Sequence, residues 1–198
     1  MSSVFLRAFE QNDYILINKW RNDPQIQKLT CGDFRYVSSE REKEWVRDKM
    51  MNNQTDNYLA ICLNNDSQEM IGYISVNNIN HLHRTADGGA VVIGNYTYRD
   101  GATLIDALKI LLSFVFDTLN INRFTGYCLE DHKYSRLIME AFLYKLEGCK
   151  RDAVYKNGAY HNELIYSILR EEYYSYIGNG EYELMKIAKR IKLLNKTI

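Results

Sequence analysis

Between Leu104 and Leu119 the chain carries its strictest pattern, with Leu104, Leu108, Leu111, Leu112, Val115, Phe116 and Leu119 recurring at spacings of three and four. A helix with 3.6 residues per turn gathers those side chains into one apolar stripe, and such a stripe must be covered. The cover is a sheet. Ala90-Val91-Val92-Ile93 stands just before the helix and Phe124 to Leu129 just after it, both short and β-rich. Asp106, Lys109, Ser113 and Asp117 interrupt the apolar run, so it falls short of a membrane span.

The flanking segments extend the sheet. Val4 to Ala8 reads as a strand, and Asn12-Asp13 then caps a helix that holds Tyr14, Ile15, Leu16, Ile17 and Trp20. Ser39-Glu40-Arg41-Glu42 reads as a capping box opening a second helix with Trp45, Val46 and Met50. Tyr58 to Leu63 and Met70 to Val76 form a hairpin across Asn64-Asn65-Asp66-Ser67. Tyr134 to Phe142 is a shorter helix. Asn157-Gly158 signals a second hairpin, in which Asp152 to Lys156 pairs with Ile165 to Leu169 or their neighbours. Glu181 to Leu194 reads as a terminal helix with Leu184, Ile187, Ala188, Ile191 and Leu194 on one face. Helices and strands alternate in the middle with antiparallel hairpins at the flanks, which predicts a mixed α/β (α+β) fold: one mixed sheet with helices on both faces.

Two hundred residues, less two, support one domain with a sizeable core. Twenty-five Lys+Arg balance twenty-five Asp+Glu, so no global field would hold nucleic acid or an anionic membrane, and an anionic ligand needs a local site. Cys31, Cys62, Cys128 and Cys149 show no C-x-x-C pair, and the N-terminus lacks the regions of a secretory signal; reduced thiols in a cytoplasmic protein follow. No cysteine has a credible nucleophile setting. His81-x-His83 has a metal-like spacing, but no carboxylate or thiol completes it, so no metal is expected and both read as loop residues. The connection from Gly94 to Thr103 joins a strand to the long helix, a geometry that can set backbone amides before a phosphate.

In order along the chain stand Leu6-Arg7-Ala8, Trp20-Arg21-Asn22-Asp23-Pro24, Ser38-Ser39-Glu40, Ile71-Gly72-Tyr73-Ile74 and Asn78-Ile79-Asn80 with His83-Arg84. Tyr98-Arg99, Asp106-Ala107-Leu108-Lys109, Leu119-Asn120-Ile121-Asn122-Arg123, Leu146-Glu147-Gly148, Arg151 to Tyr155, Asn157 to His161 and Leu169 to Tyr173 follow. This series resembles the GNAT superfamily of acetyl-CoA-dependent N-acetyltransferases, in particular the branch of ribosomal-protein N-terminal and spermidine acetyltransferases, over residues 4 to 174. The resemblance implies a mostly antiparallel sheet with a V-shaped split between two parallel strands, here those ending near Ile93 and Leu129. It implies acetyl-CoA as cosubstrate, with no metal, held by Val92, Ile93, Arg99, Gly101, Ala102 and Thr103 and by His132 and Ser135 at the next helix. Where the family's pyrophosphate loop carries its Arg and two small residues, this chain has Arg99, Ala102 and Leu104.

The same resemblance places Asp87 at the family's carboxylate position, as the base that deprotonates a primary amine: a protein N-terminus, a polyamine or an amino sugar. Many relatives carry a Tyr that protonates the leaving thiolate; that position is Met139, and the Gly-Phe after it reads Leu143-Tyr144. The implied reaction is direct attack in a ternary complex, the alternative being a catalytically weak or inactive module that uses the same cleft. Residues 1–174 form the domain, and 175–198 a helical extension docked on it or on a partner subunit, with a homodimer as one consequence.

Overall fold

The computed structural model describes residues 2–28, 30–31 and 35–196. Its seven strands form one sheet in the order β1-β2-β3-β4-β5-β7-β6. These are β1 Val4–Ala8, β2 Asn57–Leu63, β3 Met70–Asn80, β4 Thr85–Ile93, β5 Arg123–Leu129, β6 Lys145–Lys156 and β7 Ala159–Leu169. All neighbours are antiparallel except β4 and β5, whose parallel pairing is confined to Thr85↔Arg123, Ala86↔Phe124 and Asp87↔Thr125. Beyond that third rung the two strands separate, and the sheet opens into a V as the resemblance implies.

The helices are α1 Tyr14–Arg21, α2 Pro24–Gln27, α3 Ser39–Met51, α4 Ala102–Ser113, α5 Lys133–Ala141, α6 Arg170–Gly178 and α7 Leu184–Leu194. The apolar stripe belongs to α4 and to a wider, π-wound turn at Phe114–Thr118 that continues it. Leu111, Leu112, Val115 and Phe116 are buried from the stripe, in one cluster with Ile74, Phe124 and Ile168 of the sheet. On the opposite face Ile17 and Trp20 of α1 and Val46 of α3 pack with Ala60, Cys62, Tyr73 and Val92. The two faces have separate cores, and the split lies between them.

The polar stretch from Asn77 to Gly89, with no apolar run to mark it, is also strand. Asn77 pairs with Asp87 and Asn80 with Thr85 across a turn at residues 81–84 that carries His81 and His83. Ile79 and Ala86 reach the core as isolated contacts on the two strands of this hairpin, and Asn78 and Arg84 take the left-handed values φ 52 and φ 54. Further along, Val76 pairs with Gly88 but Ile74 with Val91, so β4 holds one extra residue, a β-bulge. Gly89 allows it: a Cβ there would lie 2.2 Å from Ser75 Oγ and 2.5 Å from Asn77 Nδ2. Ser75 Oγ instead accepts the Ala90 amide at 2.8 Å. The Gly88-Gly89 pair thus shifts side-chain alternation next to the split.

Two local readings change. The second helix is capped by Ser38, whose hydroxyl accepts the Arg41 amide at 3.3 Å, and Glu42 does not turn back to the helix start. Glu42 is fully buried and takes a bond from Arg21 at 3.1 Å, and burial pushes its carboxyl up despite that partner. In the second hairpin, the two-residue turn, with Asn157 at φ 52 and Gly158 at φ 84, sets Tyr155 opposite Tyr160. Ser167 and Tyr166 therefore pair with Lys145 and Leu146 at the other end of β6. The chain's last helix lies against α5: Ile187 is fully buried, Arg190 Nε donates to the Ala141 carbonyl at 2.7 Å, and Tyr182 donates to the Phe142 carbonyl at 3.0 Å.

Candidate active site

A cleft of about 910 Å³ occupies the split. Leu104, Leu108, Ile138 and Met139 line it from the face of α4 and α5, and Trp45 and Tyr73 from the face of α1 and α3, so it passes through the sheet. This is the volume range of small-molecule and cofactor sites.

At the α4 end Gly101 takes φ 80 and turns the chain into the helix, a conformation that favours glycine. Arg99 lines the cleft beside it, held by a bond from its Nε to the Ile93 carbonyl at 2.8 Å and by stacking 3.9 Å over the Tyr96 ring. The guanidinium is thereby fixed near the positive end of the helix. Asp100 Oδ1 accepts the Thr103 amide at 2.9 Å, which takes one of the amides expected to face a phosphate. Of the sequence-predicted cofactor residues, Val92, Ile93, Arg99, Gly101, His132 and Ser135 line the cleft; Ala102 is exposed outside it and Thr103 is buried beneath it. Leu104 lines the cleft with its side chain packed on the α4 core.

His132 has two roles. It caps α5, with Nδ1 accepting the Ser135 amide at 3.1 Å, and it also lines the cleft. Burial lowers its imidazole below the ordinary value of 6.5, so the fold holds the neutral ring. Because the unfolded chain gains the proton first, stability is expected to fall as pH drops below that value. Loss of the cap in His132→Ala is expected to cost about 1 kcal/mol in urea unfolding at pH 7.5. The acid-side decline should also flatten, and an unchanged pH dependence would remove His132 from it.

On the other face Asp87 stands at the last parallel rung before the split. Its Oδ2 accepts from Asn78 Nδ2 at 2.9 Å and its Oδ1 from the Tyr127 hydroxyl at 3.4 Å. Tyr127, Asn77 and Gly88 line the cleft around it. Lys150 Nζ lies 4.8 Å over the Tyr127 ring and pairs with Glu163 at 2.8 Å. Arg21, Arg35 and Arg41 line the cleft on this face, where Glu163 is the lining carboxylate among the described residues. Cys128 also lines it, but burial pushes its thiol up to about 12, leaving no thiolate nucleophile at neutral pH.

The sequence does not single out Tyr127, and Tyr144 stands there only as part of Leu143-Tyr144, with no role assigned. The strand from Phe124 to Leu129 alternates, so Thr125 and Tyr127 must face away from Phe124, toward Asp87; that signal was present. Tyr144 follows α5 without a periodic signal. It packs near Phe124, with ring centroids 6.4 Å apart, and lines the cleft; among the described residues its hydroxyl has no hydrogen-bond partner. Burial pushes that hydroxyl up, so it remains a donor.

Comparison with known proteins places these features. The sequence pattern described as an acetyltransferase (GNAT) domain matches residues 3–142. A Bacillus subtilis (strain 168) protein provisionally named ribosomal N-acetyltransferase YdaF is 29% identical over 105 residues, 52% of this chain and 56% of that protein. The match thus spans little over half of that relative's own length. An uncharacterized N-acetyltransferase, p20, of Bacillus licheniformis is 24% identical over 170 residues, 85% of this chain and 93% of p20. In fold, the chain is similar to spermidine N-acetyltransferase from Vibrio cholerae, solved with CoA and spermine. The TM-score is 0.78 at 19% identity, over 87% of this chain and 98% of that one.

Proposed function

Because the chain belongs to the GNAT acetyltransferase family, we propose that it moves the acetyl group of acetyl-CoA to a primary amine by direct attack in a ternary complex. One observation carries this reading: a single cleft joins the start of α4, with Gly101 and Arg99, to the surroundings of Asp87 on the opposite face of the sheet. Acetyl-CoA supplies the activated acyl group. In the chain, Arg99 and the Gly101 end of α4 meet phosphate charge, His132 and Ser135 flank the entry at α5, and Asp87 takes the amine proton. Aminolysis of a thioester needs positioning and deprotonation, which these residues provide without a covalent intermediate. Tyr144 brings a hydroxyl to the Met139 side of the cleft, where the departing thiolate needs a donor.

The acceptor is better matched by a protein N-terminus or an amino sugar than by a polyamine. A polyamine carries several positive charges, whereas three arginines line the acceptor face, Arg21 paired with the buried Glu42 and joined by Arg35 and Arg41, against one lining carboxylate among the described residues, Glu163, itself paired with Lys150. The competing reading, a weak or inactive module, is favoured by Asp100, whose carboxylate occupies the Thr103 amide at the phosphate end. Release of CoA thiol from acetyl-CoA separates the two. The expected result is turnover with a peptide bearing a free N-terminus or with glucosamine, above that with spermidine. Silence with all three, from folded protein, would favour the inactive module.

A further inference from the structure

Asp87, the proton acceptor assigned above, does not itself line the cleft; Asn77, Gly88 and Tyr127 do so around it. The polar group that joins its carboxylate to the cleft is the Tyr127 hydroxyl, which donates to Oδ1 at 3.4 Å. Register puts both on one face: Asp87 pairs with Thr125 of β5, and Tyr127 lies two residues further along the same face, where the strands begin to part. The other carboxylate oxygen is tied to Asn78 Nδ2 at 2.9 Å. Asn78 takes φ 52 on a strand, a departure from extended backbone that brings its amide to Asp87. The carboxylate is thus held with one oxygen toward β3 and one toward the tyrosine.

We propose that Tyr127 carries the amine proton from the cleft to Asp87 and is a catalytic residue of the acetyl transfer. This rests on the acetyltransferase reading. The phenol oxygen takes a proton from the bound ammonium as its own proton passes to Asp87 Oδ1, so Tyr127 stays neutral and Asp87 becomes the acid. The freed nitrogen pair then attacks the thioester carbon; the N–C bond forms, the C–S bond breaks, and the thiolate takes up the proton that the nitrogen still sheds. Asp87 returns its proton to solvent. Burial, with the Asp87 charge next, raises the phenol, which keeps it protonated and able to bridge. The charged groups facing this pair are Lys150 of β6, over the ring, Glu163 of β7 and Arg123 of β5.

The test compares Tyr127→Phe with wild type in thiol-release kinetics from pH 6 to 9, using the peptide with a free N-terminus as acceptor. The expected result is a fall in kcat of about 10–100-fold at neutral pH with KM for acetyl-CoA unchanged. The deficit should shrink toward pH 9, where the amine arrives already deprotonated. A purely structural role would lower the rate equally across that range, and such a uniform loss overturns the proposal. So does a Tyr127→Phe rate within about twofold of wild type. Melting of the variant with CoA checks the fold and the cofactor site together. A wild type that binds CoA with Tyr127→Phe at full rate defeats this inference alone, whereas a wild type silent with every amine defeats both readings.

Discussion

Asp87→Asn is expected to lower kcat about 100-fold while leaving KM for acetyl-CoA nearly unchanged. The substitution is close to isosteric, and the residue keeps its place at the last parallel rung through backbone pairing with Asn77 and Thr125. An amide oxygen can still accept from Asn78 or Tyr127, so the hairpin should persist. What disappears is a group that can accept a proton at neutral pH. Acetyl-CoA should bind as before, because the residues assigned to it, Arg99, Gly101 and His132, line other parts of the cleft. Steady-state kinetics at saturating acetyl-CoA read the effect directly. A rate within a few-fold of wild type would remove Asp87 from the mechanism and leave solvent as the base.

The element that positions Asp87 was only partly legible in the sequence. The stripe from Leu104 to Leu119 announced α4 because burial imposes its period on side chains, and Asn157-Gly158 announced a hairpin because both positions need positive φ. The stretch from Asn77 to Gly89 carried no such mark. Its strands are held by backbone pairing beside a cleft, with Ile79 and Ala86 as isolated core contacts rather than an apolar run, and the need for glycine at 89 shows only where Ser75 and Asn77 leave no room for a Cβ. Glu42 misled for a related reason: its spacing from Ser39 suits a cap, but α1 approaches and Arg21 claims the carboxylate. Tertiary contact overrode a sound local signal. Similarly, the basic rim of Arg21, Arg35 and Arg41 gathers from separate segments, and no local spacing could assemble it.

CoA is expected to raise the melting temperature by roughly 5–10 °C at a concentration about a hundred times its dissociation constant. Such an excess adds about 2.7 kcal/mol when ligand binds the folded state alone, and a domain of this size gains about 2–4 °C per kcal/mol. CoA carries a pyrophosphate and a 3′-phosphate, while the chain's net charge is zero, so the affinity must come from local donors. The α4 start offers them: Gly101 opens the helix at φ 80, and Arg99 is held by the Ile93 carbonyl and the Tyr96 ring before any ligand arrives. A guanidinium fixed in this way loses little rotamer freedom on binding, which favours charge-assisted bonds to phosphate. Arg99→Glu should abolish most of the shift, since it sets a second carboxylate beside Asp100 at the same helix end. Leu104→Gly should lower the melting temperature without ligand, because that side chain packs on the α4 core. The decisive comparison is wild type against Arg99→Glu by thermal melting with CoA. A wild type that shows no shift at millimolar CoA would leave the acetyltransferase reading without its first step, and an equal shift in Arg99→Glu would move the phosphate site away from the start of α4.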